Sequence, residues 1–168
     1  PRLPLLLGVA ATVVLLDVLT KRLAVERLSD RGPVEVIDGL LKLRLVRNSG
    51  AAFGLAAGLT VVLTGVAVTV VVVMLRIAPR LRSAAWAVAL ALVLGGAVGN
   101  IADRLFRDPG PFRGHVVDFL MLPHWPVFNV ADMCINVAAA LILLLAFRGI
   151  RLDGSRVPRT DTTDSPTP

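Results

Sequence analysis

The chain has 168 residues, 55% of them hydrophobic, with a mean hydropathy of +0.76 and a formal net charge of +6. A soluble domain this small has no interior large enough for that apolar share, so the composition reads as a single-domain integral membrane protein. The positive charge does not point to nucleic acid, because Lys and Arg mostly flank apolar stretches and the aromatic residues (Phe 6, Trp 2, Tyr 0) are too few for a base-stacking platform; the lone Cys134 excludes a disulfide framework.

A bilayer core about 30 Å thick takes roughly 20 helical residues, and four segments qualify. The first, 3–21, is interrupted late by Asp17. No small-residue cleavage site follows its apolar core, so it reads as a span rather than a signal peptide. Residues 33–39 then predict a short strand closed by a turn. Residues 41–47 alternate apolar and basic, the period of a half-buried strand. The small-residue loop Arg47-Asn48-Ser49-Gly50-Ala51-Ala52-Phe53-Gly54 leads into the second span, 57–75. The third span, 84–102, lies between Arg82 and Asp103. The fourth, 127–147, carries Asp132 near its start. Val-rich runs such as 70–73 favour strand in water, but their length and lack of turn residues favour helix in lipid.

Arg2, then Arg76, Arg80 and Arg82, then Arg148, Arg151, Arg156 and Arg159 mark the cytoplasmic side by the positive-inside rule. Both chain ends are then inside, and 22–56 and 103–126 face outward. Basic residues in 22–56 weigh against this, but Glu26, Asp30, Glu35 and Asp38 partly balance them. The expected architecture is mainly α: a polytopic membrane protein with four transmembrane helices and a small β-sheet on the extracytoplasmic side. Residues 1–152 form the membrane-embedded unit. Residues 153–168, rich in Thr, Pro, Asp and Ser, are expected to be a disordered cytoplasmic tail.

The chemistry centres on two acids, Asp118 and Asp132, each embedded in apolar sequence. An ionisable group in the hydrocarbon layer costs about 3 kcal/mol or more, so it is rare unless paired or functional. Pro123 and Pro126 prevent one helix from joining the two, so the connector turns back and both acids reach the same leaflet. That arrangement suggests a carboxylate dyad sharing a proton, the chemistry of an aspartic protease, with the carboxyls within roughly 3–6 Å. For each acid alone, a capped or paired structural carboxylate is the plainer reading, and for Asp132 a favourable helix N-terminal charge.

Asp17 and Lys21 share one helix face and read most simply as a local ion pair, with Lys21 snorkelling outward. Gly95 and Gly99 form a small-xxx-small packing face. Asn100, Asp103 and Arg104 follow at three- and four-residue spacing. There Arg104 either holds a carboxylate or a lipid phosphate, or serves as an interfacial anchor. His115 and His124 lack a matching third ligand, so no metal and no cofactor is expected. Ser49 with Lys21 or Lys42 is a remote Ser/Lys alternative, and Cys134 reads as a buried small hydrophobe.

Five blocks in order resemble the signal peptidase II family, the lipoprotein signal peptidases of bacterial inner membranes: Asp17-Val18-Leu19-Thr20-Lys21, Asn48-Ser49-Gly50-Ala51-Ala52-Phe53-Gly54, Gly95-Gly96-Ala97-Val98-Gly99-Asn100-Ile101-Ala102-Asp103-Arg104-Leu105, Val116-Val117-Asp118-Phe119 and Phe128-Asn129-Val130-Ala131-Asp132. The chain departs from the family in a longer 105–115 stretch, a shorter link between the two acids, and Met133 after Asp132. The resemblance implies an enzyme that removes the signal peptide from diacylglyceryl prolipoproteins, cutting before the lipidated cysteine. It implies Asp118 and Asp132 as the catalytic pair. Asn48, Asn100, Arg104 and Asn129 would contact substrate or support the pair, and Asp17, Lys21 and Asp103 would be structural. Its expected partners are those prolipoproteins and membrane lipids, with the chain a monomer. The rival reading is a proton-coupled small membrane transporter with Asp17, Asp118 and Asp132 as a relay. It requires polar residues at mid-membrane, where the second and third spans carry almost none.

Overall fold

The computed structural model describes residues 1–50 and 59–156. Residues 51–54 of the small-residue loop, the start of the predicted second span and residues 157–168 of the predicted tail lie outside them. The elements in chain order are α1 (Leu3–Leu28), β1 (Val34–Ile37), β2 (Leu41–Asn48), α2 (Leu59–Ile77) with a 3-10 turn at Ala78–Arg80, α3 (Ala84–Phe106), β3 (Val116–Met121) and α4 (Val130–Phe147). Among the described residues, four helices are long and apolar enough to cross a membrane.

Helix α1 buries Leu6, Ala10, Val13, Asp17, Lys21, Ala24 and Leu28, a stripe repeating every three or four residues. Its other face leaves Leu15, Leu16, Leu19 and Leu23 exposed, as a helix surrounded by lipid should. The helix runs about two turns beyond the 3–21 segment, because Ala24 and Leu28 continue the stripe onto Phe119 of the sheet. An exposed Arg22–Glu26 pair at 2.9 Å supports that extension.

Helix α3 is the hub, packed against the other three helices. Its glycines set the spacing. A Cβ on Gly95 would lie 2.6 Å from Val13 Cβ, and one on Gly96 would lie 2.7 Å from the Ala131 carbonyl. Gly95 thus admits α1 and Gly96 admits α4 at backbone contact. At the C-terminal end of α3, Gly114 N–H donates to Arg104 O at 3.0 Å, turning the chain towards β3.

The sheet is antiparallel in the order β1-β2-β3, one strand more than the sequence reading expected. Val46 lies opposite Asp118 and Asn48 opposite Val116. The third strand escaped notice because Val116–Met121 is buried throughout its first four residues, so it has no alternation to read. The far end of the bundle is closed by the chain's own backbone. Arg2 N–H donates to Leu81 O, and Arg82 and Ser83 N–H donate to Leu152 O. Residues 153–156, expected in the disordered tail, instead turn back here, with Arg151 N–H donating to Ser155 O at 2.8 Å. The sheet and this arginine-rich closure therefore sit at opposite ends of α1 and α3.

Candidate active site

Asp118 comes from the buried middle of β3 and is only 2% exposed. Asp132 is the third residue of α4, where it completes a capping box with Asn129. The Asn129 side-chain Oδ1 accepts from Asp132 N–H at 2.9 Å, and Asp132 Oδ2 accepts from Asn129 N–H at 3.2 Å. Phe128, just upstream, exchanges backbone hydrogen bonds with Leu120 at 2.8 and 2.9 Å. The strand carrying one acid is thus stitched to the helix start carrying the other.

Three asparagines frame the two carboxyls. Asn48 Nδ2 donates to Asp118 Oδ2 at 2.9 Å, and Asn129 Nδ2 donates to Asp118 Oδ1 at 2.7 Å. Asn100 Nδ2 donates to Asp132 Oδ1 at 2.9 Å. Each of the four carboxyl oxygens therefore accepts an N–H and keeps a lone pair for a proton or a water. Asn129 Nδ2 also reaches Asn100 Oδ1 at 3.2 Å, so the two acids share one connected amide frame.

Behind this frame sits a buried ionic node. Lys21 Nζ lies 2.7 Å from Asp17 Oδ2 and 3.0 Å from Asp103 Oδ2, and donates to Asn100 Oδ1 at 2.9 Å. Asn100 Oδ1 thus faces two donors, which fixes the flip of the amide and aims its Nδ2 at Asp132. Lys21 is 1% exposed and does not snorkel, because three acceptors inside the bundle satisfy it. The same two carboxylates also hold backbone, Asp17 through its other oxygen and Asp103 through the oxygen that faces Lys21. Asp17 Oδ1 accepts from Ala131 N–H at 2.9 Å at the start of α4, and Asp103 Oδ2 accepts from Val117 N–H at 3.1 Å beside Asp118.

Arg104 is buried but departs from the expected pairings. Asp103 Oδ1 pairs with Arg107 instead, and Arg104 Nη1 has no hydrogen-bond partner among the described residues. Lys21 and Lys42 are both engaged, the latter with Glu35 at 3.4 Å, so neither serves Ser49 as a base. Cys134 is half-buried.

Asp118 opens onto a cleft of about 340 Å³ lined by Val46, Arg47, Asn48, Ser49, Asp118, Pro126 and Val127. Burial pushes its carboxyl up to about 6, and the Asp132 charge adds to the rise. The Asn48 and Asn129 donors and the Lys21 charge oppose it without cancelling it. Among the described residues no three His, Cys, Asp or Glu side chains gather as a metal-ligand group.

The profile of the family described as Signal peptidase (SPase) II matches residues 9–148. The chain belongs to the signal peptidase II family. It is 53% identical over 152 residues to the lipoprotein signal peptidase of Mycobacterium avium, covering 90% of this chain and 84% of that one. It is 51% identical over 166 residues to that of Mycolicibacterium smegmatis, covering 98% of this chain and 71% of that one. Among solved structures, a bacterial membrane enzyme determined by the in meso method at 1.9 Å resolution superposes with a TM-score of 0.74 at 26% identity, covering 85% of this chain and 92% of that one. A second, at 2.3 Å resolution and 24% identity, shares the fold with a TM-score of 0.72, covering 92% of this chain and 94% of that one. The protein is thus a multi-pass bacterial membrane peptidase.

Of the residues singled out from the sequence of this signal peptidase II member, Asn48, Asn100, Asn129, Asp118 and Asp132 meet in the frame and Asp17, Lys21 and Asp103 form the node behind it, whereas Arg104 Nη1 has no hydrogen-bond partner among the described residues. Two links were missed: Asp17 capping α4 and Asp103 holding Val117 N–H. Both are side chain-to-backbone bonds across more than ten residues, for which spacing in the sequence gives no signal. A third feature, the Phe128–Leu120 stitch, depends on β3 being recognised as a strand.

Proposed function

We propose that this chain is an aspartyl endopeptidase that removes signal peptides from diacylglyceryl-modified prolipoproteins, cutting before the lipidated cysteine, with Asp118 and Asp132 as the catalytic pair. The observation that carries this reading is the amide frame through Asn129 and Asn100, which holds two carboxyls at one bundle end with a lone pair free on every oxygen. The pair is proposed to lie within roughly 3–6 Å, close enough to share one proton.

In the mechanism, the ionised carboxylate takes a proton from a water as its oxygen attacks the scissile carbonyl carbon. The protonated carboxyl donates to the carbonyl oxygen. Collapse of the tetrahedral intermediate breaks the C–N bond, the leaving amine takes the proton gained from water, and a hydroxyl of the forming acid returns its proton to the pair. Amide N–H groups fixed before substrate arrives need no reorganisation as charge develops. Arg104, whose Nη1 has no hydrogen-bond partner among the described residues, is proposed to face the substrate. Lys21, Asp17 and Asp103 are proposed to position the frame without touching substrate.

The proposed topology puts both termini in the cytoplasm and the site at the extracytoplasmic face. The arginine-rich closure at the opposite end of the bundle supports it. A dyad at the membrane surface lets acyl chains stay in lipid while the peptide bond meets water, each buried methylene contributing about 0.8 kcal/mol. Residues 1–152 are proposed to be the peptidase unit. The test is cleavage by purified protein of one prolipoprotein peptide with and without its diacylglyceryl group. Cleavage of the lipidated form alone, with the cysteine as the new N-terminus, is expected; equal cleavage of both, or a cut elsewhere, contradicts the reading.

A further inference from the structure

Asn136 is a polar residue that neither the amide frame nor the ionic node uses. It lies in the second turn of α4, about 9 Å along a helix rising 1.5 Å per residue. Its side chain is exposed on a span whose outer surface is otherwise apolar. Its one hydrogen bond among the described residues runs from Nδ2 to the Asp132 carbonyl at 3.0 Å. A second N–H and the amide oxygen remain, in a position facing lipid, and an amide without partners there is costly.

Asn136 is also the one amide side chain lining a second cavity. That cavity has a volume of about 470 Å³ and is walled by Trp125, Phe128, Met133, Asn136 and Val137. Its size falls in the roughly 300–1,000 Å³ range of small-ligand sites, and apolar walls with one placed polar group are the usual composition. Met133, Asn136 and Val137 share one face of α4 at three- and four-residue spacing.

The location identifies the occupant. One wall continues the turn that bears Asp132. The other is the 125–128 segment, which Phe128 ties by backbone hydrogen bonds to Leu120, two residues from Asp118. Both walls are thus fixed to the elements that carry the two acids. A molecule cut at those acids and anchored by a diacylglyceryl group has to place its glyceryl esters beside them, with its chains running down the outside of the bundle.

We propose that this groove seats the lipid of the substrate, an acyl chain lying along Trp125, Phe128, Met133 and Val137 while the free N–H of Asn136 donates to an acyl-ester carbonyl. This rests on the lipoprotein-processing reading above. It makes Asn136 a specificity-determining residue outside the amide frame.

The experiment measures kcat and KM of wild type, Asn136→Leu and Val137→Trp on a dipalmitoylglyceryl prolipoprotein peptide in mixed micelles, with oligomeric state read by light scattering. Both positions are exposed, so folding should survive either change. Losing one neutral hydrogen bond, or filling the groove, removes binding common to ground and transition states. KM should rise about 3- to 10-fold with kcat within about twofold. Unchanged KM in both variants overturns the proposal. So does a fall in kcat alone, which would mean that Asn136 acts through Asp132. A wild-type dimer that either variant dissociates, with KM unchanged, would instead assign the face to a second copy. Failure of wild type to cleave the lipidated peptide would strike the functional reading rather than the groove.

Discussion

Asp118→Asn separates the electrostatic cost of the site from its hydrogen bonding. The Asp118 carboxyl moves from the ordinary 3.8 up to about 6 in the folded protein. Between those values the native state binds more protons than the unfolded chain, so stability falls as pH rises across the window. Above about 6 the full cost is present, and a shift of about two units corresponds to about 3 kcal/mol at most. Asn at 118 never ionises and removes that slope. It also presents one oxygen where Asn48 and Asn129 both donate, leaving one N–H facing another, at about 1–3 kcal/mol. The variant should therefore be less stable than wild type at pH 4, and equal or more stable at pH 7.5. The hydrogen-bond penalty cancels in the comparison of the two pH values, leaving a swing of about 3 kcal/mol. For a chain of this length that is about 6–12 °C in Tm. Thermal unfolding of both proteins in detergent micelles at the two pH values measures it. A variant whose Tm tracks wild type within 1–2 °C at both would refute a carboxyl held up by burial.

Lys21→Met should strip two buried carboxylates of their counter-charge and release Asn100. A loss of about 3–5 kcal/mol is expected from thermal unfolding, with Asp17→Asn milder because Asp103 keeps its partner. Gly99→Ala should destabilise by about 1–3 kcal/mol in the same assay, since its Cβ would sit 2.5 Å from Asp17 Oδ2. EDTA should leave cleavage unchanged, because the proposed pair works through protons; loss restored by zinc would contradict it. The pH profile of kcat/KM should fall above about 6, as a pair with a raised carboxyl loses its last shared proton.

The helices were legible because a span needs only length and hydropathy, and 84–102 and 127–147 fall within a few residues of α3 and α4. Their ends were not, since capping decides them: Asn129 starts α4 three residues later than hydropathy suggests. The site residues stood out as polar groups in apolar sequence, which is why Asp17, Asp118 and Asp132 were found. Their division of labour was hidden. Lys21 has the local spacing of a helix-surface pair with Asp17, yet its position is set by Asn100 and Asp103 on another helix. Arg107 stands four residues after Asp103, the spacing of a helix ion pair, and that competing partner for Asp103 was passed over in favour of the adjacent Arg104.

The central claim is that Asp118 and Asp132 perform the hydrolysis and that Asp103 does not. It is tested most directly by the cleavage rates of Asp118→Asn, Asp132→Asn and Asp103→Asn on a diacylglyceryl prolipoprotein, each confirmed folded by its thermal transition. The account predicts that the first two each lose at least about 10²–10⁴ in rate, the usual contribution of a general acid or base. Asp103→Asn should mainly lose stability, through its bonds to Lys21 and Val117 N–H. Full activity in folded Asp118→Asn with none in folded Asp103→Asn would contradict it and move the pair to Asp103 and Asp132.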